Sequence, residues 1–85
     1  MMTRLWPAGQ TIGVVCDAQG VPQVFVWGGQ RHPVSAVLQQ WRVDVGWWRT
    51  RRWRAYYKLH TVTGLLVVLY QDLETESWFL QRLYD

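Results

Sequence analysis

The sequence predicts an all-β domain of five or six antiparallel strands, closed into a small barrel or strongly twisted roll, and three observations carry that reading. Short runs rich in β-branched and aromatic residues alternate with Gly- and Asp-containing turn signals along the chain. Gly28-Gly29 falls between two such runs, and both glycines can reach positive φ without steric cost, the mark of a tight hairpin. Leu65, Val67 and Leu69 alternate with Leu66, Val68 and Tyr70, so a strand there is apolar on both faces. An open one-sided sheet would leave one of those faces in water. A sheet curling onto itself, or a second subunit over its surface, would bury both.

Taken in order, Thr11 to Asp17 reads as the first strand, on Ile12, Val14, Val15 and Cys16, and Ala18-Gln19-Gly20 turns the chain. Gln23 to Trp27 is the second strand, and Gly28-Gly29 delivers a third over Arg31 to Val37. Val34, Val37, Leu38 and Trp41 then fall at helical spacing, whereas Val37, Trp41 and Val43 share strand parity, so Leu38 to Arg42 admits one short helical turn. Asp44 to Arg52 reads as a loop bent at Gly46. Trp53 to Val62 and Leu65 to Gln71, joined at Thr63-Gly64, are followed by the turn Asp72 to Glu76 and a last strand, Ser77 to Tyr84. These three form an antiparallel meander.

The 85 residues make one domain, residues 1–85, with no internal repeat, linker or low-complexity tract. A domain of this size buries only roughly two-thirds of its unfolded surface, so its core must be dense. Seven tryptophans, four tyrosines and two phenylalanines supply that density, each ring burying about 150–250 Å². Cys16 stands alone, which excludes an intrachain disulfide and any Cys/His metal spacing. Met1 to Pro7 holds no apolar leader core, and Leu65-Leu66-Val67-Val68-Leu69 is too short to span a bilayer. The expected location is the cytoplasm, with no membrane partner.

Catalytic readings find little to stand on. Gly28-Gly29 serves a hairpin and is followed by no Lys-Ser or Lys-Thr that would make it a phosphate-cradling loop. His32 and His60 have no Cys, Asp or Glu at a ligand interval and read as surface or rim residues. Asp72, Glu74 and Glu76 crowd one turn, where carboxylates stay hydrated, and Cys16 reads as packing in a strand. The expectation is a protein that is not an enzyme and takes no metal, cofactor or small-molecule substrate.

The affirmative signal is Trp47 to Lys58, WWRTRRWRAYYK, with five aromatic and five basic residues and no acid in twelve positions. Arg49, Arg51, Arg52, Arg54 and Lys58 give +5 locally, and the other four basic and six acidic residues give −2, which sums to the net +3. Side chains alternate across a strand, so Trp53, Ala55, Tyr57, Leu59 and Thr61 share a core stripe while Arg54, Tyr56, Lys58 and His60 share the opposite face. Candidate binding residues are therefore Arg49, Arg51, Arg52, Arg54, Tyr56, Lys58 and His60, with Trp47 and Trp48. Two kinds of partner fit them. Aromatic residues and arginine dominate protein interfaces, so a protein partner or homo-oligomer would anchor on Trp47, Trp48, Trp53, Tyr56 and Tyr84. Single-stranded nucleic acid is the alternative, with basic residues on phosphates and Tyr56 as a stacking platform. A structural cation–π contact, arginine over tryptophan, accounts for the same composition.

Phe25-Val26-Trp27-Gly28-Gly29-Gln30-Arg31-His32-Pro33-Val34, then Trp47-Trp48, Tyr56-Tyr57, Gly64, Leu69-Tyr70, Trp78-Phe79-Leu80 and Tyr84-Asp85 resemble, in order and spacing, a small bacterial family of unknown function. The same pattern is similar to the C-terminal tail of ImuB-type proteins, inactive relatives of Y-family polymerases that organise translesion synthesis in the bacterial damage response. The resemblance spans Ile12 to Asp85 and implies a non-enzymatic accessory module meeting partner proteins or DNA. It departs at Arg54-Ala55, where the tail carries Arg-Asp, so any role of that aspartate does not transfer.

Overall fold

The computed structural model describes residues 3–44 and 53–84. They form six strands and no helix: β1 (Thr3–Cys16), β2 (Pro22–Trp27), β3 (Gln30–Asp44), β4 (Trp53–Thr61), β5 (Leu66–Asp72) and β6 (Trp78–Tyr84). Each strand pairs antiparallel with the next and β6 returns to β1, closing an up-and-down barrel. Two long strands make closure possible in so short a chain. β1 pairs with β6 as far as Ile12 and with β2 from Gly13, while β3 pairs with β2 as far as Pro33 and with β4 from Val34. Each belongs to two sheets and turns the corner between them.

The meander and the Gly-Gly hairpin stand as expected: Trp27 pairs with Gln30 across Gly28 (φ 62°) and Gly29 (φ 73°), a two-residue loop that other residues enter only under strain. The short helical turn is a correction. Residues 38–42 continue β3, and their helical spacing comes from register shifts between Val34 and Ala36 and between Val37 and Gln39. Val34 and Val37 both stand opposite inward residues of β4, Thr61 and Leu59, although three positions apart, because an extra residue intervenes. A bulge thus imitates an i, i+3 repeat.

β1 also starts earlier than expected. Thr3, Arg4 and Leu5 pair with β6, and the register then jumps from Leu5 opposite Arg82 to Gln10 opposite Leu80. Residues 6–9 stand against Gln81 alone, so Pro7 and Gly9 occupy a wide bulge within one strand.

Inside the barrel, Phe25, Leu59, Val67, Leu69 and Leu80 are fully buried, with Trp78 and Leu83 beside them. Trp6, Ile12, Val14, Trp27 and Tyr57 pack around this cluster. Burying each such aliphatic or aromatic side chain stabilises the fold by about 1.5–3 kcal/mol. The expected β4 stripe holds for Ala55, Tyr57, Leu59 and Thr61, but Trp53 is 42% exposed, because it lies opposite Asp44 at the outer end of the β3–β4 ribbon.

His32, read in sequence as a rim residue, is 4% exposed and belongs to the core wall. Its ring stacks on Phe25 at 5.2 Å, its Nε2 donates to the Trp27 carbonyl at 3.2 Å, and Nδ1 meets the Thr63 hydroxyl at 2.9 Å. Thr63 bonds the Thr61 hydroxyl at 2.9 Å, and that oxygen accepts the Leu65 N–H. A carbonyl can only accept, so Nε2 carries the hydrogen of that bond, while a hydroxyl can either donate to Nδ1 or accept from it. The histidine ties the β2–β3 hairpin to the β4–β5 turn. At the opposite turn, Asp72 Oδ1 accepts the N–H groups of Glu74 and Thr75, which gives that acidic residue a structural task.

Candidate interaction surface

The outer face of β3–β4–β5–β6 is laid out in rows that follow from the register. Trp41, Tyr56, Tyr70 and Phe79 form one row, while Gln39, Lys58, Val68 and Arg82 form the next. In the first row the rings make a continuous ladder, Trp41 on Tyr56 at 5.2 Å, Tyr56 beside Tyr70 at 5.3 Å and Tyr70 on Phe79 at 4.9 Å. Together with Val43, Val68 and Tyr84 they make a second apolar cluster outside the barrel. This is how β5 buries both faces within one chain: Val67 and Leu69 enter the barrel, and Val68 and Tyr70 enter the outer cluster.

Cations cover the rings. The Arg54 guanidinium lies 4.4 Å from the Tyr70 centroid and donates to the Tyr56 hydroxyl at 3.4 Å. That hydrogen bond leads the causes that raise the Arg54 pKa. Its Nε is buried without a partner, a group left to the ring faces around it. Lys58 and Arg82 approach the Tyr84 ring from the same row, at 5.5 and 5.7 Å, and Arg82 donates to the Tyr84 hydroxyl at 3.0 Å.

Of the expected binding residues, Arg54, Tyr56, Lys58 and His60 share this face as parity required. Tyr56 is only 7% exposed, so the ring expected as a stacking platform is covered. His60 is exposed and bonded to Ser35, whose hydroxyl donates to the His60 carbonyl at 2.9 Å. Trp47, Trp48, Arg49, Arg51 and Arg52 lie outside the described residues. The rings that stay half-exposed are Trp41, Phe79 and Tyr84. Sequence reading passed over Trp41, Phe79 and Arg82 because their membership depends on cross-strand register. The Thr63-Gly64 turn could have supplied part of it, since closing β4 onto β5 there places Tyr56 opposite Tyr70.

Beside the ladder, Gln40, Trp41, Arg42, Ala55, Tyr56 and Tyr57 line an open hollow of about 190 Å³, where the small Ala55 side chain leaves room between larger neighbours. Among the described residues no group of three His, Cys, Asp or Glu could hold a metal ion, and no helix is long and apolar enough to cross a membrane. The Cys16 thiol has its pKa pushed up, first by burial and then by Asp17, which suits packing rather than nucleophilic chemistry.

Burial also leads the causes that raise the pKa of Tyr57 and Tyr70 from the usual 10.0. Below that pH both folded and unfolded chains keep the phenolic protons, and this contribution to stability is fully present. Above it the unfolded chain releases protons that the folded one retains, so stability falls as pH rises through the folded-state values. Phenolate absorbance should show these two tyrosines ionising late, and thermal melts should move down from pH 10 to pH 11; an unchanged melting temperature would contradict their burial.

Fold and surface define a small closed antiparallel barrel with a filled interior and a cation-covered aromatic face. The chain belongs to the family described as Domain of unknown function (DUF6504), which it matches over residues 7–85. No curated protein and no solved structure matches it.

Proposed function

We propose that this domain is a non-enzymatic, cytoplasmic interaction module that docks a partner protein, or a second copy of itself, on the outer face of its larger sheet. The observation that supports this reading is the ladder ending in half-exposed Trp41, Phe79 and Tyr84 and flanked by Arg54, Lys58 and Arg82. Large rings and arginine are the side chains that anchor interfaces, because they bury much area at little entropy cost. The filled barrel directs recognition to the outside. The resemblance to the ImuB-type tail adds a setting, bacterial translesion synthesis and the DNA-damage response.

Affinity capture from damaged bacterial cells, paired with sedimentation of the pure domain, tests the reading. A partner or a dimer held by the wild type should be weakened about tenfold or more by Trp41→Ser, a loss typical of an interface anchor. A monomer that captures nothing Trp41-dependent would sink it.

A second reading gives the face to single-stranded nucleic acid, favoured by Lys58 and Arg82 sharing one row beside Tyr84. Three phosphate contacts by Arg54, Lys58 and Arg82 would give a log–log salt slope of about −2. Fluorescence anisotropy of a labelled oligonucleotide across salt concentrations decides it. A slope near zero in the wild type, or one unchanged in Lys58→Ala/Arg82→Ala, removes this alternative.

A further inference from the structure

The barrel is closed, yet among the described residues β3 is not paired along its whole length on both sides. From Val34 onward its described partner is β4, and β3 packs against β2 and β4 alone among the described strands. The direction of the backbone groups follows from β4. The Thr61 N–H bonds Leu65 and the Trp53 carbonyl accepts from Leu73, both towards the β5 side. Odd-numbered β4 residues therefore bond towards β5 and even-numbered ones towards β3. Arg54, Tyr56 and Lys58 stand opposite Val43, Trp41 and Gln39, so those three β3 residues bond inwards. Gln40 and Arg42 turn their N–H and C=O groups to the open side.

Proteins guard open edges with bulges, charges or cover. Here both register shifts of this segment lie before Gln39, and residues 39–44 run in unbroken register with β4. Six residues is the usual length of a paired strand. The guarded part of the edge thus gives way to a regular part, and the hollow lined by Gln40, Arg42, Ala55 and Tyr57 opens beside it. Main-chain groups at alternate residues, with a pocket next to them, are the two components of strand addition: backbone bonds supply affinity and the pocket supplies selectivity.

We propose that the edge of β3 at Gln40 and Arg42 receives an extended acidic segment of a partner protein as an added strand. This deepens the reading of the domain as a protein-interaction module and rests on it. The charge of the guest follows from its seat. Arg42 is exposed and lines the hollow, whereas Asp44, the other charged residue of residues 39–44, does not, in a chain of net charge +3. A carboxylate in the added strand would meet it, and a neighbouring side chain two positions along would enter the hollow.

The test uses a phage-displayed library of linear dodecapeptides selected against the wild-type domain, with binding of the recovered peptides measured on variants. Peptides carrying an acidic residue should emerge. Gln40→Pro should weaken them at least tenfold while leaving the fold intact, since that N–H is not used by β4. Arg42→Glu should reverse the charge preference. Should Gln40→Pro misfold, amide exchange in the wild type carries the decision: Gln40 and Arg42 exchange fast in the free domain and are protected when peptide is bound. Peptides that bind with Gln40→Pro unchanged but are lost in Arg82→Glu overturn the edge and leave the module reading in place. No enriched peptide, with no captured partner, overturns both. A dimer dissolved by Gln40→Pro replaces the acidic guest with a second copy of this chain.

Discussion

Gly9→Ala is expected to destabilise the barrel by about 2–4 kcal/mol and lower its melting temperature by roughly 10–20 °C. Gly9 sits in the wide bulge of β1 with φ 80°, a conformation that L side chains rarely adopt. A Cβ there would lie 2.7 Å from the Phe79 Cβ, 2.7 Å from the Tyr70 Oη and 2.9 Å from Tyr70 Cε2. Neither neighbour yields easily. The Phe79 Cβ is fixed to the backbone of β6, and the Tyr70 ring is held between Phe79 and Tyr56. Gly13→Ala is the control, since a Cβ there meets nothing within 4 Å and its φ is not positive. It should cost less than about 1 kcal/mol, and fewer unfolded conformations could even make it stabilising. Thermal and urea unfolding of the two variants measure the difference, and equal losses would mean that β1 does not close over the end of the aromatic ladder.

That close approach marks where sequence reading stops. Alternation placed Leu59 on the core stripe of β4 and set Val67 and Leu69 together on one of the two apolar faces of β5, and Gly28-Gly29 and Gly64 located two hairpins, because each of these is written in consecutive residues. The two apolar faces of β5 demanded a cover for each, and closure supplies one of them. The other cover depends on register between distant strands: Phe79 meets Tyr70, and Gly9 meets both, only after β6 has paired with β5 and β1. Bulges erase the local signal as well. Those in β3 made a strand look helical, and the one in β1 lies ahead of Thr11, where the sequence places the start of the strand. The candidate surface was half legible for the same reason. Arg54, Tyr56, Lys58 and His60 share a face by parity, whereas the burial of Tyr56 under neighbouring rings and the joining of Arg82 to Lys58 across Val68 are products of pairing.

Tyr70→Ala should cost about 3–5 kcal/mol, as much as removing a ring from the barrel interior, although Tyr70 projects from the outer face. Its exposure is 2%, and three groups rest on it: Phe79 at 4.9 Å, Tyr56 at 5.3 Å and the Arg54 guanidinium at 4.4 Å. Truncation leaves a cavity under Gly9 and strips the arginine of the ring that replaces its lost water. Tyr70→Phe keeps the ring and should cost no more than about 1.5 kcal/mol. Pairing Tyr70→Ala with Arg54→Met in a double-mutant cycle should return a coupling of roughly 0.5–2 kcal/mol, the range of a partly desolvated cation–π contact. These outcomes bear on recognition as well as stability. If Tyr70 supports the fold to this extent, the inner rungs of the ladder are occupied, and a partner can use only its half-exposed end at Trp41 and its rim at Arg82 and Tyr84. If Tyr70→Ala instead melts within about 1 kcal/mol of wild type, the outer cluster is not a second core. Its rings would then be free to open, and Tyr56 would return as a surface for bases or for an interface.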